Sequence, residues 1–178
     1  MGKVFAVGVG PGSKNYVTET VRKTVESADV VVGYKYTLEA ISDLIKDKKI
    51  HVITMADQEQ TYQNVKKELG NGSLVVPFTG DVNFSESEVV DRLVEIFGDV
   101  ELVPGISSIQ VAASKARVPL DKSKVITMHV TTSIEEKKFQ FSVVQDWVKY
   151  PLSAPTKFLK VDWSGFVKYI KDKQIVTN

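Results

Sequence analysis

The sequence predicts an α/β fold whose N-terminal part is a mostly parallel sheet covered by helices on both faces. Three observations predict it. Short β-branched runs alternate with amphipathic stretches as far as about residue 116, and the connections between them are short. Three of the runs end in glycine turns: Val7-Gly8-Val9-Gly10-Pro11-Gly12, Thr79-Gly80-Asp81 and Val103-Pro104-Gly105-Ile106-Ser107-Ser108. Alternation with short connections is the pattern of strand-helix-strand units. Open sheets of this kind bind ligands outside the carboxyl ends of their strands, so turns placed there point to a small-molecule site.

The first strand is predicted near Lys3–Val9, because its apolar run ends at the first glycine turn, and the first helix near Val17–Ser27. A strand at Val30–Val32 and a helix from about Thr37 to Ile45 follow, then a strand at His51–Thr54 and a helix near Glu59–Leu69. Gly70-Asn71-Gly72 leads to a strand at Leu74–Phe78. The next helix, near Glu86–Phe97, carries Val89, Val90, Leu93 and Ile96 on one face, and Ser85 with Glu88 makes a capping-box pattern at its start. A strand at Val100–Val103 and a helix running to about Ala116 close the regular part.

Pro119 breaks the rhythm, and Arg117–Asp121 reads as a linker between lobes. This sets an N-terminal α/β lobe over 1–117 and a smaller C-terminal α/β lobe over 118–178. The second lobe is predicted to hold a strand at Val125–Met128, a helix from Ser133 to about Lys149, a strand near Thr156–Val161 and a helix near Ser164–Asp172. Gln174–Thr177 has strand character and ends almost at once, so this lobe reads as truncated or as completed by another chain.

Composition narrows the function. There is no cysteine, which excludes a disulfide framework, a thiolate zinc site and a cysteine nucleophile, and fits a reducing compartment, with the cytoplasm as the default. The net charge is +1 and the isoelectric point about 7.8, without the basic stripe of a nucleic-acid binder. Apolar runs are strand-length, so no membrane segment is expected. The two histidines, His51 and His129, are far apart and give no metal-site spacing. His51 reads as structural; His129 follows Met128 at the lobe junction but is a weak catalytic signal alone.

The glycine turns fail both common phosphate fingerprints. A dinucleotide motif needs its third glycine three residues after the second, yet position 13 is Ser13, and no acidic residue ends the second strand, which runs into Gly33-Tyr34-Lys35. The Gly-Lys-Ser/Thr ending of a P-loop is also missing.

A different resemblance accounts for the turns together. Val7–Gly12, the Ala-Asp-Val-Val-Val-Gly at Ala28–Gly33, Gly80-Asp81, and the Pro-Gly-Ile-Ser-Ser at Pro104–Ser108, in this order, resemble the tetrapyrrole (corrin/porphyrin) methyltransferase family. Gly33–Leu38 and Ser107–Ala113 are most similar to its cobalt-precorrin-7 (C5)-methyltransferase branch, also called precorrin-6Y methylase. The resemblance covers roughly 3–128, and the family's usual Gly-Asp-Pro stands here as Gly80-Asp81-Val82.

The resemblance implies a two-lobed methylase fold, S-adenosylmethionine as cofactor, and C-methylation of a cobalt-precorrin in cobalamin biosynthesis. Carried over by position, the cofactor-contacting candidates are Pro11, Gly80, Asp81, Phe84, Ser107, Ser108 and Met128. Candidates for the tetrapyrrole substrate are Gly10, Gly12, Tyr34 and Lys35, with Tyr36 beside them. A classical triad is unnecessary, because the cofactor brings the reactive group and an electron-rich ring carbon is already a nucleophile; a base to remove a substrate proton could still help, and none is nominated. A homodimer, and a decarboxylating precorrin methyltransferase as functional partner, are implied in the same way.

Plainer readings stand beside these. Asp81 can cap the helix after its loop, Ser107 and Ser108 sit where serine caps helices, and Phe84 and Met128 are ordinary core types. The tyrosine-lysine segment can be a solvated loop. Alternatives for the whole chain are diphthine synthesis, ribosomal RNA methylation, or a non-catalytic tetrapyrrole-binding or scaffold role.

Overall fold

The predicted runs form five strands, β1 Lys3–Gly8, β2 Val30–Tyr34, β3 Lys49–Ile53, β4 Ser73–Phe78 and β5 Glu101–Val103, in a computed structural model that describes residues 2–84 and 86–123. They make one sheet in the order β3-β2-β4-β1-β5, every ladder parallel. The helices are α1 Glu19–Glu26, α2 Lys35–Ala40, α3 Gln58–Leu69, α4 Ser87–Phe97 and α5 Ser108–Ala116.

Successive side chains of a strand face opposite ways, and the sheet is apolar on both faces. On one face Val4, Ala6, Val32, Leu74 and Val76 pack with Tyr62 and Val65 of α3 and Leu93, Ile96 and Phe97 of α4. On the other, Val7, Val31 and Val75 pack with Val21 and Val25 of α1 and Leu38 of α2. The central strands β1 and β4 read as near-continuous hydrophobic runs because both their faces are covered.

Local chemistry sets the element ends. Thr18 Oγ1 accepts the Val21 N–H at 3.3 Å and starts α1. Asp29, within the Ala28–Gly33 motif, accepts from the Ser73 N–H (2.8 Å) and hydroxyl (2.9 Å), tying the starts of β2 and β4 together. The β2–β4 ladder covers only Val30↔Leu74 and Val31↔Val75. Two residues further on stands Pro77, which has no N–H to donate, and its ring fills the space a Cβ on Gly33 would need.

One expectation is corrected. The second helix does not reach Ile45: α2 ends at Ala40, and Ile41 and Ile45 are buried from a series of turns closed by bonds such as Leu44 N–H to the Ile41 carbonyl (2.9 Å). Their four-residue spacing mimics a helix face without one. At α4 the N-cap position belongs to Glu86, with no side-chain cap bond, while Ser85 lies outside the described residues.

The chain divides into two compact units, Met1–Val111 and Ala112–Asn178. In the second, the described part is the end of α5 and a 3-10 turn at Leu120–Lys122. Here α5 stops with Arg117 at φ 56°, its N–H on the Ser114 carbonyl (3.2 Å) and the Val118 N–H on that of Ala113 (3.0 Å), a left-handed helix stop made without glycine. The strands predicted at Val125–Met128 and Thr156–Val161 and the helices predicted from Ser133 and Ser164 lie outside the described residues.

Candidate functional site

Because β4, β1 and β5 are neighbours in a parallel sheet, their carboxyl ends lie side by side, and the three glycine turns leave from those ends. The register aligns Gly8 with Phe78 and Val7 with Val103. Beyond the strands the first two turns pair again: the Gly10 N–H donates to the Gly80 carbonyl (3.1 Å) and the Gly80 N–H to the Gly10 carbonyl (2.8 Å). Gly80 adopts φ 74°, the left-handed region that side chains other than glycine's disfavour.

The third turn presses against the first two. A Cβ on Gly8 would stand 2.6 Å from the Gly80 carbonyl oxygen and 2.7 Å from the Gly105 nitrogen, and a Cβ on Gly105 would overlap the carbonyl oxygens of both Gly8 and Gly80. Each turn is thus backbone against backbone, and the glycines are what permit it.

Asp81 links the second turn to the third. Its Oδ1 accepts from the Asn83 N–H and from Asn83 Nδ2, each at 3.1 Å, and faces the Gly105 N–H at 3.5 Å. It does not cap α4, which starts only at Ser87. The Phe84 N–H closes the turn on the Asp81 carbonyl (3.0 Å), which leaves the Phe84 ring 37% exposed rather than in the core. Val82 is buried in the α3–α4 face of the core.

Ser107 does cap its helix. Its Oγ accepts the Ile109 N–H at 3.3 Å, and Gln110 Oε1 accepts the Ser107 N–H at 2.7 Å, a reciprocal capping box. The Ser107 hydroxyl keeps its proton available to donate, and the residue is buried beside the glycine turns. Ser108 opens α5, with its nitrogen 3.9 Å from where a Gly80 Cβ would stand. Pro11 is half-buried between Gly10 and an exposed Gly12.

Tyr34 and Lys35 stand one strand away, at the carboxyl end of β2. The Tyr34 hydroxyl lies 3.0 Å from Gln58 Oε1, to which it donates, and the Tyr34 and Tyr36 rings stack at 5.6 Å with an interplanar angle of 12°. Partial burial first, then the neighbouring phenol and Glu86, raise the Tyr34 pKa. Burial and Glu86 do the same for Tyr36, so both are neutral hydroxyls at physiological pH.

The structure therefore brings together Gly10, Pro11, Gly12, Gly80, Asp81, Ser107 and Ser108, with Phe84 on the same loop as Asp81. Met128 and His129 lie outside the described residues. Asn83 and Gln110 were not among the candidates, although Asp-x-Asn and Ser-x-x-Gln are recognisable patterns for a side-chain turn and a capping box. A cavity of about 320 Å³ lies at the opposite edge of the sheet, lined by residues that include Asp29, Lys49, His51 and Glu68 and by none of the glycine turns. No group of three or more potential ligands for a metal ion occurs among the described residues.

Comparison with known proteins shows the family. Residues 3–150 match the family Tetrapyrrole (Corrin/Porphyrin) Methylases. A probable cobalt-precorrin-7 C(5)-methyltransferase of Methanocaldococcus jannaschii is 35% identical over 129 residues, which are 71% of this chain and 60% of that protein. The crystal structure of a precorrin-6Y methylase from Archaeoglobus fulgidus aligns with a TM-score of 0.55 and 25% identity over 71% of this chain and 65% of that one. That of a uroporphyrin-III C-methyltransferase from Thermus thermophilus, complexed with S-adenosyl homocysteine, aligns at TM-score 0.53 and 25% identity over 63% of this chain and 52% of that one. The chain thus spans less than two thirds of the length of these relatives.

Proposed function

The chain belongs to the tetrapyrrole (corrin/porphyrin) methylase family, and from this premise we propose that it acts in the S-adenosylmethionine-dependent C-methylation of a cobalt-precorrin intermediate of cobalamin biosynthesis. The observation that carries the reading is the convergence of the three glycine turns, where backbone meets backbone at Gly8, Gly80 and Gly105 and Asp81 fastens the second turn to the third. A Cβ on Gly12 would meet nothing within 4 Å, so this end of the knot offers open main chain to a ligand.

These residues suit the cofactor's chemistry. Main-chain groups around Pro11 and Gly80, the carboxylate of Asp81, and the hydroxyls of Ser107 and Ser108 match its amino-acid and ribose polar groups, and Phe84 offers an apolar face. Met128 is a further candidate by sequence. When bound, S-adenosylmethionine supplies a methyl group on a cationic sulfonium. The chain's part is positioning: the capping box holds Ser107 in one place, and the Asp81–Asn83 bonds fix the β4–α4 loop. Gly10 and Gly12 at the first turn, with Tyr34 and Lys35 on β2, are the candidates on the substrate side. No catalytic base is assigned.

The family further suggests a homodimer working with a decarboxylating precorrin methyltransferase, in the cytoplasm. Among the described residues no helix is long and apolar enough to cross a membrane. Calorimetry on the purified chain tests the cofactor reading: binding of S-adenosylmethionine and S-adenosylhomocysteine is expected in the micromolar range, and no heat with either at high micromolar concentration rejects it. Incubation with cofactor and a cobalt corrinoid intermediate should then give a one-methyl mass gain.

A further inference from the structure

Strand β3 stands at the end of the order β3-β2-β4-β1-β5, and among the described residues no strand pairs its outer side. All five of its residues pair with β2 on the inner side. An edge strand offers a row of free N–H and C=O groups, and proteins that stay single usually guard such an edge with charge, proline or a bulge. Here the one lysine inside the strand, Lys49, is engaged by Glu68 of α3 in an ion pair. The rest is apolar and open: Ile50 is 41% exposed, Val52 58%, and Met55 just beyond the strand 78%.

The pattern of the strand is self-complementary. Side chains alternate along a strand, and directly opposed residues of an antiparallel ladder face the same way. Ile53 faces the α3–α4 core, whereas Ile50, in register with Val31, and Val52, in register with Gly33, lie on the α1–α2 face. Two copies joined antiparallel keep these faces aligned only in registers centred on a residue, and only the register centred on His51 pairs all five. It sets Ile50 of each copy against the partner's Val52. It also matches charge at both ends. Lys46, Lys48 and Lys49 outweigh Asp47 at the entry to β3, while Asp57, whose Oδ1 accepts the Thr54 N–H at 2.6 Å, and Glu59 make the exit acidic. Antiparallel pairing lays the basic entry of one copy beside the acidic exit of the other, twice.

We infer that β3 is the contact edge between two copies of this chain, paired antiparallel along Lys49–Ile53 about a two-fold axis at His51, so that the sheet runs on into the second copy. The inference rests on the homodimer suggested above and adds the surface that makes it. The contact is isologous, the same strand meeting itself. One short strand from each copy is a small interface, so association should depend on concentration in the micromolar range.

Sedimentation velocity of the full chain over a micromolar concentration series tests the edge, with calorimetry on S-adenosylhomocysteine in parallel. Val52→Lys, which sets a charge against the partner's Ile50, should weaken dimerisation at least about tenfold. Ile50→Glu should do the same. The double variant Ile50→Glu/Val52→Lys should recover much of the loss, because the two new charges then face each other across the axis. Circular dichroism reports that each variant folds. The chain has no cysteine, so one introduced thiol reads the register. His51→Cys stands opposite its own copy at a Cα separation of about 4.5–5.5 Å, within disulfide reach, whereas Val52→Cys is offset by two residues and is not. Air oxidation should link the first into a covalent dimer and leave the second unlinked; equal linking of both overturns the register and the proposal. A wild type that stays monomeric overturns the edge and the homodimer together. A wild-type dimer indifferent to Val52→Lys and Ile50→Glu overturns the edge and leaves the homodimer to another surface. Dimerisation that depends on Val52 in a chain that does not bind S-adenosylhomocysteine upholds the edge and sinks the methyltransferase reading instead.

Discussion

Gly8 and Gly105 meet back to back: a Cβ on Gly8 would lie 2.7 Å from the Gly105 nitrogen and 2.8 Å from its Cα. The groups in the way are main chain, anchored by the β1–β5 ladder, and cannot rotate aside as a side chain can. Gly105→Ala should therefore cost about 3 kcal/mol, the upper part of the range for single substitutions. That corresponds to a fall in Tm of roughly 6–12 °C for a chain of this size. Gly12→Ala, where only the positive φ is unfavourable, should cost about 1–2 kcal/mol. Thermal melts of both variants check the ordering, and equal losses would mean that the close approach of the turns carries no weight.

Asp81 makes a sharper test of the site, because its charge and its hydrogen-bonding oxygen can be separated. Asp81→Asn keeps an oxygen for Asn83 and Gly105 but no charge; Asp81→Ala keeps neither. The alanine variant should lose about 1–2 kcal/mol of stability, the scale of exposed bonds to a charged group. The asparagine variant should recover most of that. If Asp81 also meets the cofactor's positive or donor groups, both should bind S-adenosylhomocysteine at least about tenfold more weakly. An asparagine variant with unchanged affinity would restrict Asp81 to fastening the two turns.

The sequence shows that three glycine turns follow three strands, but not that those strands are neighbours. Adjacency is a property of the whole sheet, and no local pattern around Gly8, Phe78 or Val103 encodes the order β3-β2-β4-β1-β5. Long apolar runs such as Leu74–Phe78 declare themselves because burial on both faces leaves no polar alternation to confuse them. Ile41 and Ile45 mislead for the opposite reason: a helical period is satisfied by turns that happen to return both residues to the core. The capping signals divide in the same way. Ser107-x-x-Gln110 closes a reciprocal cap, whereas α4 begins at Ser87 with Glu86 in the capping position. A four-residue pattern says that a helix can start there, not that it does.

Asp29 should make the fold sensitive to acid. The Ser73 backbone N–H, then the Ser73 hydroxyl, hold its carboxyl below the ordinary aspartate value, and the same bonds join the starts of β2 and β4. A carboxyl depressed in the folded state contributes stability that is complete above its unfolded pKa of about 3.9 and is lost as pH falls through the folded value. The wild type should therefore be more stable than Asp29→Ala at pH 7, with the two Tm values converging below about pH 4. A gap that stays constant down to pH 3 would assign the loss to packing instead.

Tyr62 offers a test of core chemistry at a distance from the site. Its ring is fully buried against Phe97, edge to face at 6.5 Å and 74°, while its hydroxyl has no hydrogen-bond partner among the described residues. Burial pushes the phenol pKa well up, as expected when a charged oxygen would have nothing to solvate it. Leaving a buried hydroxyl unsatisfied is costly, whereas the ring itself holds α3 and α4 together. Tyr62→Phe should then raise stability by up to about 1 kcal/mol or leave it unchanged. Tyr62→Ala should lose about 3–5 kcal/mol through the cavity it opens. Urea unfolding of the two variants distinguishes ring from hydroxyl, and a loss above about 1 kcal/mol in Tyr62→Phe would show that the hydroxyl is bonded after all.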